Sequence, residues 1–201
     1  MNFCPSLSNI YDGKIECILI ADYHLKENSL DSMKRKLEPC FNLSSSNKNI
    51  PIINFGDNQD SIRHMQKNKN LSDKDVIKYT YTFWENYAKT IATCPKTENF
   101  TEFGNHEEEA FFIGIDPLEI INNNCNNFTF LGINQGAIKV GNDKIGIYHK
   151  HPSLQGNYNA KEAYNNICKE AKNIIKDNTT KNTIIMNKTA DINPVLVFSS
   201  L

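Results

Sequence analysis

Four predicted strands of this chain end in side chains of the kind that bind divalent metal ions. Carboxylate oxygens, imidazole nitrogens and an amide oxygen together suit manganese, iron or zinc rather than calcium or a thiolate-bound metal. Asp22 and His24 are two apart on an extended segment, so both can point to the same ion. Because open α/β sheets bind ligands beyond the carboxyl ends of their strands, we expect these segments to converge on one site. The candidate residues are Asp22, His24, Asp57, Asn105, His106 and His149.

The strands that must position these residues are recognisable from the sequence pattern. Residues 15–21 and 50–55 are apolar runs of the kind found in strands buried on both faces. Residues 99–103 form a weaker, more polar strand. Residues 137–140 and 144–148 flank a Gly-Asn-Asp turn and predict a hairpin whose second arm ends at His149.

Helical patterns separate these strands. Leu30, Met33 and Leu37 share a stripe that predicts a helix stopping near Pro39. Ser72 and Asp75 have the spacing of a capping box and start the strongest helical pattern. Alternation of strands and helices favours a layered α/β or α+β domain. The apolar face of the strongest helix comprises Val76, Ile77, Phe83, Trp84, Tyr87, Ala88 and Ile91, and further helices are predicted over 117–122 and 160–175, with closing strands over 183–186 and 195–198.

Composition narrows the class of protein. The 201 residues suit one domain, and 22 Lys and Arg against 23 Asp and Glu disfavour a nucleic-acid binder that relies on bulk positive charge. No apolar run approaches the roughly 20 residues of a membrane helix, so we expect no membrane partner. The amino-terminal residues lack a cationic start leading into an apolar stretch, which predicts a cytoplasmic protein.

The order of these motifs resembles the calcineurin-like metallophosphoesterase superfamily, whose pattern runs D-x-H, G-D-x-x-D, G-N-H-D/E, H and G-H-x-H. The corresponding residues here are Asp22-Tyr23-His24, Gly56-Asp57-Asn58-Gln59-Asp60, Gly104-Asn105-His106-Glu107 and His149. The resemblance implies an α+β fold, a four-layer α/β/β/α sandwich of two mixed sheets flanked by helices. It also implies that residues 1–201 form a single domain of this type.

The resemblance further implies a centre of two divalent ions, either manganese, iron or zinc. Asp22 and His24 would bind the first ion, Asp57 would bridge both ions, and Asn105 and His149 would bind the second. A hydroxide held between the ions would attack the phosphorus of a phosphomonoester or phosphodiester. The sequence does not indicate nucleic acid as a partner, although the phosphate-ester substrate could be a nucleotide.

Other residues carry implied roles beside the ions. His106 would donate a proton to the leaving oxygen, or would stabilise charge on the phosphoryl group as a cation. Asn105 would also touch the substrate phosphate. Asp60 and Glu107 are expected to orient the metal ligands rather than to bind metal.

The chain departs from the family at its last motif. Asn187-Lys188-Thr189-Ala190 stands where G-H-x-H is expected, so each ion would lose one histidine. His151 or His64 could replace the missing ligands, or Lys188 could stand in for a metal charge and contact phosphate directly.

Three functions therefore stay open at this point. The first is a metal-dependent phosphoesterase acting on a phosphate ester. The second is a catalytically impaired phosphoesterase fold that acts as a binding scaffold, as in the phosphoesterase-like subunit of retromer. The third is a nucleotide-binding or regulatory α/β domain, which predicts no bound metal. The sequence indicates no oligomeric state.

Overall fold

The computed structural model describes residues 17–21, 23–26, 28–133, 135–140, 143–150, 182–189 and 192–200. Over these residues the chain is α+β, with five helices and two four-stranded sheets. The strands are β1 (Ile18–Ile20), β2 (Ile52–Asn54), β3 (Asn99–Phe103), β4 (Phe128–Ile133), β5 (Gln135–Val140), β6 (Asp143–Lys150), β7 (Asn182–Thr189) and β8 (Ile192–Ser200). The helices are α1 (Leu30–Ser46), α2 (Ile62–Lys69), α3 (Asp73–Ala92), α4 (Asn105–Phe112) and α5 (Pro117–Asn124).

The first sheet contains β1 to β4, which pair in chain order and in parallel. Each connection between neighbouring strands passes through one or two helices. Because such crossovers are right-handed, a sheet ordered 1-2-3-4 carries all of these helices on one face. The expectation of two mixed sheets is therefore not met by the described strands of this sheet, which are parallel throughout.

Side chains alternate between the two faces of the first sheet. Ile52 of β2 belongs to the core cluster that contains Phe83 and Trp84 of α3. Its neighbour Ile53 belongs to a second cluster with Phe100 of β3. Successive side chains of a strand point to opposite faces, so both faces of this sheet are buried. That burial explains why β1 and β2 lie in nearly continuous apolar runs.

The second sheet covers the face that the helices leave free. Its strand order is β5-β6-β7-β8, with β6 and β7 parallel and both outer pairs antiparallel. Ile138 of β5 is 1% exposed and packs with Ile53, Phe55, Phe100 and Leu131 of the first sheet. The predicted hairpin over 137–148 is thus confirmed as β5 and β6. The helix predicted over 160–175 lies outside the described residues.

The predicted end of the first helix is wrong. α1 does not stop near Pro39 but continues to Ser46. The continuation buries Phe41 and Ser44 on the face already formed by Leu37, and the Ser44 hydroxyl donates to the Ile50 carbonyl oxygen at 2.7 Å. This burial outweighs the hydrogen bond that a proline removes inside a helix.

α3 begins as its capping residues predict. The Ser72 hydroxyl accepts the Asp75 backbone N–H at 3.3 Å, which satisfies one of the free donors at the start of the helix. The predicted apolar face is buried except at Ile77, which is 44% exposed. Within the part of the chain that the structure describes, no helix has the length and apolar character to cross a membrane.

Candidate metal centre

The loops that follow β1 and β2 run side by side. The His24 N–H donates to the Asp57 carbonyl oxygen at 3.0 Å, and the Leu25 N–H donates to the Asn58 carbonyl oxygen at 2.8 Å. The Asp60 N–H in turn donates to the Leu25 carbonyl oxygen at 3.1 Å. His24 and Asp57 both adopt positive φ, 40° and 52°. Non-glycine residues occupy that region only when their surroundings hold them there, and these backbone hydrogen bonds do so.

Gly56 lets the loop after β3 approach the loop after β2. Its φ is 88°, and a Cβ at this position would lie 2.4 Å from the Gly104 nitrogen. α4 starts directly after Gly104, and its His106 N–H donates to Asp57 Oδ1 at 3.2 Å. The carboxyl ends of three adjacent parallel strands therefore lie close together.

The Glu107 carboxylate holds two of these loops in place. It is fully buried and accepts four backbone N–H groups, from Asp57 at 2.8 Å, Asn58 at 2.6 Å, Gln59 at 3.3 Å and Gly104 at 2.8 Å. Burial and the neighbouring Asp57 carboxylate raise the pKa of Glu107, and the backbone N–H donors act in the opposite direction.

Four side chains meet where these loops converge. His24 Nε2 lies 3.8 Å from Asp57 Oδ2, and His24 Nδ1 lies 3.9 Å from Asp60 Oδ1. The rings of His24 and His106 pack edge to face with centroids 4.6 Å apart. His24, Asp60 and His106 each offer one ligand atom, and these atoms all lie within 4.8 Å of one another. The structure thus brings together three of the predicted motifs.

Unpaired polar atoms at this position indicate that a ligand fits there. Asn105 Oδ1 and His106 Nδ1 are buried, and neither has a hydrogen-bond partner among the described residues. A buried polar atom without a partner costs about 1–3 kcal/mol, which a bound cation or polar ligand would offset. Imidazole nitrogens, carboxylates and an amide oxygen are suitable donors for manganese, iron or zinc. The residues present therefore fit a divalent metal ion.

No protein-family model matches this chain, and no curated protein sequence matches it. The functional assignment therefore depends on the order of the motifs and on the geometry described above.

Of the remaining predicted site residues, the structure describes the side chain of His64 alone. Asp22 and His151 lie outside the described residues. His149 is the second-last residue of β6, opposite Met186 of β7, and the placement of its side chain is outside the description. His64 is exposed on α2. β7 includes Asn187 and Lys188, the residues that stand where G-H-x-H is expected, and pairs with β8.

A buried polar network beneath the centre was not foreseen from the sequence. The Asn54 amide nitrogen donates to Asn58 Oδ1 at 2.6 Å and to the Tyr87 hydroxyl at 2.9 Å, and Asn54 Oδ1 accepts the Gly56 N–H at 3.0 Å. The Tyr87 hydroxyl donates to Asn58 Oδ1 at 3.1 Å. Burial, reinforced by the Glu107 charge, raises the pKa of Tyr87, so the phenol keeps its proton. The one local signal was a polar residue, Asn54, within an apolar run.

Proposed function

We propose that this chain is a metal-dependent phosphoesterase that hydrolyses a phosphomonoester or a phosphodiester. The observation that supports the proposal is the meeting of His24, Asp57 and His106 at the carboxyl ends of three adjacent parallel strands. These residues come from three separate motifs whose order resembles the metallophosphoesterase pattern.

The proposed fold is a four-layer α/β/β/α sandwich whose first sheet is parallel over its described strands. The helices on one face of the first sheet, the first sheet itself and the second sheet would be three of its layers. The helix predicted over 160–175 would form the fourth layer, on the outer face of the second sheet.

The proposed ligands are those that the resemblance implies. His24, Asp57 and Asn105 are the described members of that set, and Asp22 and His149 would complete it. A divalent ion at this centre would lower the pKa of water and offset the negative charge of a phosphate ester.

Residues of the chain itself would prepare the centre for this reaction. Asp60 Oδ1 lies 3.9 Å from His24 Nδ1, and its negative charge would favour the imidazole tautomer that carries the proton on that nitrogen. The Nε2 lone pair would then face Asp57 and be free to bind metal. His106 would supply a proton to the leaving oxygen, an effect that contributes about 10²–10⁴-fold in comparable enzymes.

A binding scaffold is the second candidate. The observation in its favour is the course of β7, which continues through Asn187 and Lys188 in strand conformation where the family has two metal-binding histidines. Such a scaffold would bind a phosphate-containing partner, or a protein, at the same edge of the sheet without hydrolysis.

Hydrolysis of p-nitrophenyl phosphate and its bis ester tests the first candidate. We expect turnover that requires Mn²⁺ and stops in EDTA. His24→Ala should reduce the rate to the level measured in EDTA, because His24 contacts both carboxylates of the cluster. His64→Ala, which removes an exposed histidine on α2, is the matched control and should leave the rate unchanged.

Two results would contradict the phosphoesterase proposal. Folded protein that binds Mn²⁺ but hydrolyses neither ester would favour the scaffold. Equal rates in His24→Ala and His64→Ala would place any activity elsewhere in the chain.

A further inference from the structure

His24 lies between two carboxylates and presents a different nitrogen to each. Nε2 faces Asp57 Oδ2 at 3.8 Å, whereas Nδ1 faces Asp60 Oδ1 at 3.9 Å. An imidazole that binds metal through one nitrogen commonly donates the proton of its other nitrogen to a carboxylate. An ion can therefore bind on the Asp57 side with Asp60 as the orienting group, or on the Asp60 side with Asp57 as the orienting group.

Of the two carboxylates Asp60 is the more exposed, although His24 Nδ1, the nitrogen that faces it, is buried. The Asp57 side chain is 0% exposed, while those of Asp60 and His24 are 14% and 20% exposed. A catalytic ion needs a coordination position that solvent or substrate can reach. Asp57 Oδ1 also accepts the His106 N–H, and the buried Glu107 carboxylate bonds the Asp57 N–H. Asp57 is thus placed as a buried orienting group in this chain.

His106 supplies a third ligand on the Asp60 side. Its Nδ1 is buried and has no hydrogen-bond partner in the described part of the chain. The ligand atoms of His24, Asp60 and His106 lie within 4.8 Å of one another. Ligands of a tetrahedral zinc ion are about 3.3 Å apart when its bonds are about 2.0–2.1 Å long. Small side-chain rotations would therefore bring the three ligand atoms close enough together to bind one ion.

We propose that this chain binds a single divalent ion, zinc or iron(II), between His24, Asp60 and His106. Two histidines and one carboxylate with open positions form an established type of hydrolytic zinc and non-haem iron centre. The inference rests on the proposed function, because it concerns the same metal-dependent site, but it replaces the two-ion ligand set given there. It gives His106 the role of ligand and Asp57 the role of orienting group, and this set needs no histidine from the missing last motif.

Metal binding to the full chain after removal of metal by a chelator tests the inference without any activity assay. Titration calorimetry with Zn²⁺ should give one ion per chain, and Co²⁺ should give visible absorption bands of a low-symmetry site. Asp60→Asn and His106→Ala should each weaken binding at least 100-fold and abolish the bands. Glu108→Gln, a substitution on the same helix but outside the cluster, should retain both the affinity and the bands. Asp57→Asn should weaken binding by about 10–100-fold, as expected of an orienting carboxylate.

The opposite pattern would overturn the inference. Two ions per chain, with binding lost in Asp57→Asn and Asn105→Ala but kept in His106→Ala, would favour the ion pair and leave the proposed function intact. Absence of metal binding by the unaltered chain would overturn both proposals. Circular dichroism of each metal-free variant checks its fold, and Asp60→Ser or His106→Gln replaces a variant that does not fold. The stoichiometry of the unaltered chain tests the inference independently of every variant.

Discussion

At the residue scale, each oxygen of Glu107 accepts two backbone N–H groups from the loops that follow β2 and β3. Oε2 accepts the N–H groups of Asp57 and Gly104, and Oε1 accepts those of Asn58 and Gln59. A carboxylate satisfies all four donors because both of its oxygens are hydrogen-bond acceptors. The position of Asp57 beside His24 therefore depends on a side chain 50 residues away in the sequence.

Glu107→Gln should destabilise the fold although it preserves shape. Whichever way the amide is turned, its NH₂ group faces two backbone N–H donors that have lost their acceptor. We expect the free energy of unfolding to fall by about 2–4 kcal/mol, since each unsatisfied buried donor costs about 1–3 kcal/mol. Urea unfolding of the metal-free protein measures the change.

Glu108→Gln is the matched control on the same helix. It removes a partly exposed carboxylate next in sequence and should change stability by less than about 0.5 kcal/mol. Equal effects of the two substitutions would mean that the Glu107 hydrogen bonds do not hold the loops.

At the element scale, the approach of two strand ends depends on a glycine. A side chain at Gly56 would meet the Gly104 backbone at 2.4 Å, and the residue has positive φ. Gly114 also has positive φ, but a Cβ there would meet nothing within 4 Å. Gly114→Ala should therefore cost only the backbone penalty, about 1–2 kcal/mol.

Gly56→Ala should cost at least about 2 kcal/mol more than Gly114→Ala, because overpacking adds to the backbone penalty. Thermal or urea unfolding of both variants gives the comparison. Indistinguishable stabilities would show that the loops after β2 and β3 can separate without cost.

Local patterns predicted some elements and missed others for a physical reason. The capping box at Ser72 located the start of α3 because its hydrogen bond is local. α2 was not predicted, since only Ile62 and Met65 of its residues are buried. Its amino terminus is held instead by Glu109 of α4, whose two oxygens each accept the Ser61 hydroxyl at 3.1 Å. The local sequence around Ser61 cannot indicate this hydrogen bond, because its partner lies 48 residues away.

At the scale of the whole molecule, the order of the strands explains why the motifs meet. Parallel strands joined by helices on one face place all their carboxyl ends at one edge, so His24, Asp57 and His106 converge although 82 residues separate the first from the last. Apolar runs predicted β1 and β2, a more polar segment predicted β3, and together they predicted the edge that the carboxyl ends of these strands form. They did not predict the closeness of Asp60 to His24, because that distance depends on how two loops pair beyond the strands.

The most direct test of a metal centre at this edge is anomalous diffraction from crystals of the zinc-loaded protein. The account predicts an anomalous peak about 2.0–2.1 Å from a nitrogen of His24, between the loops that follow β1, β2 and β3. Well-ordered density for His24, with zinc bound only at other positions, would contradict it.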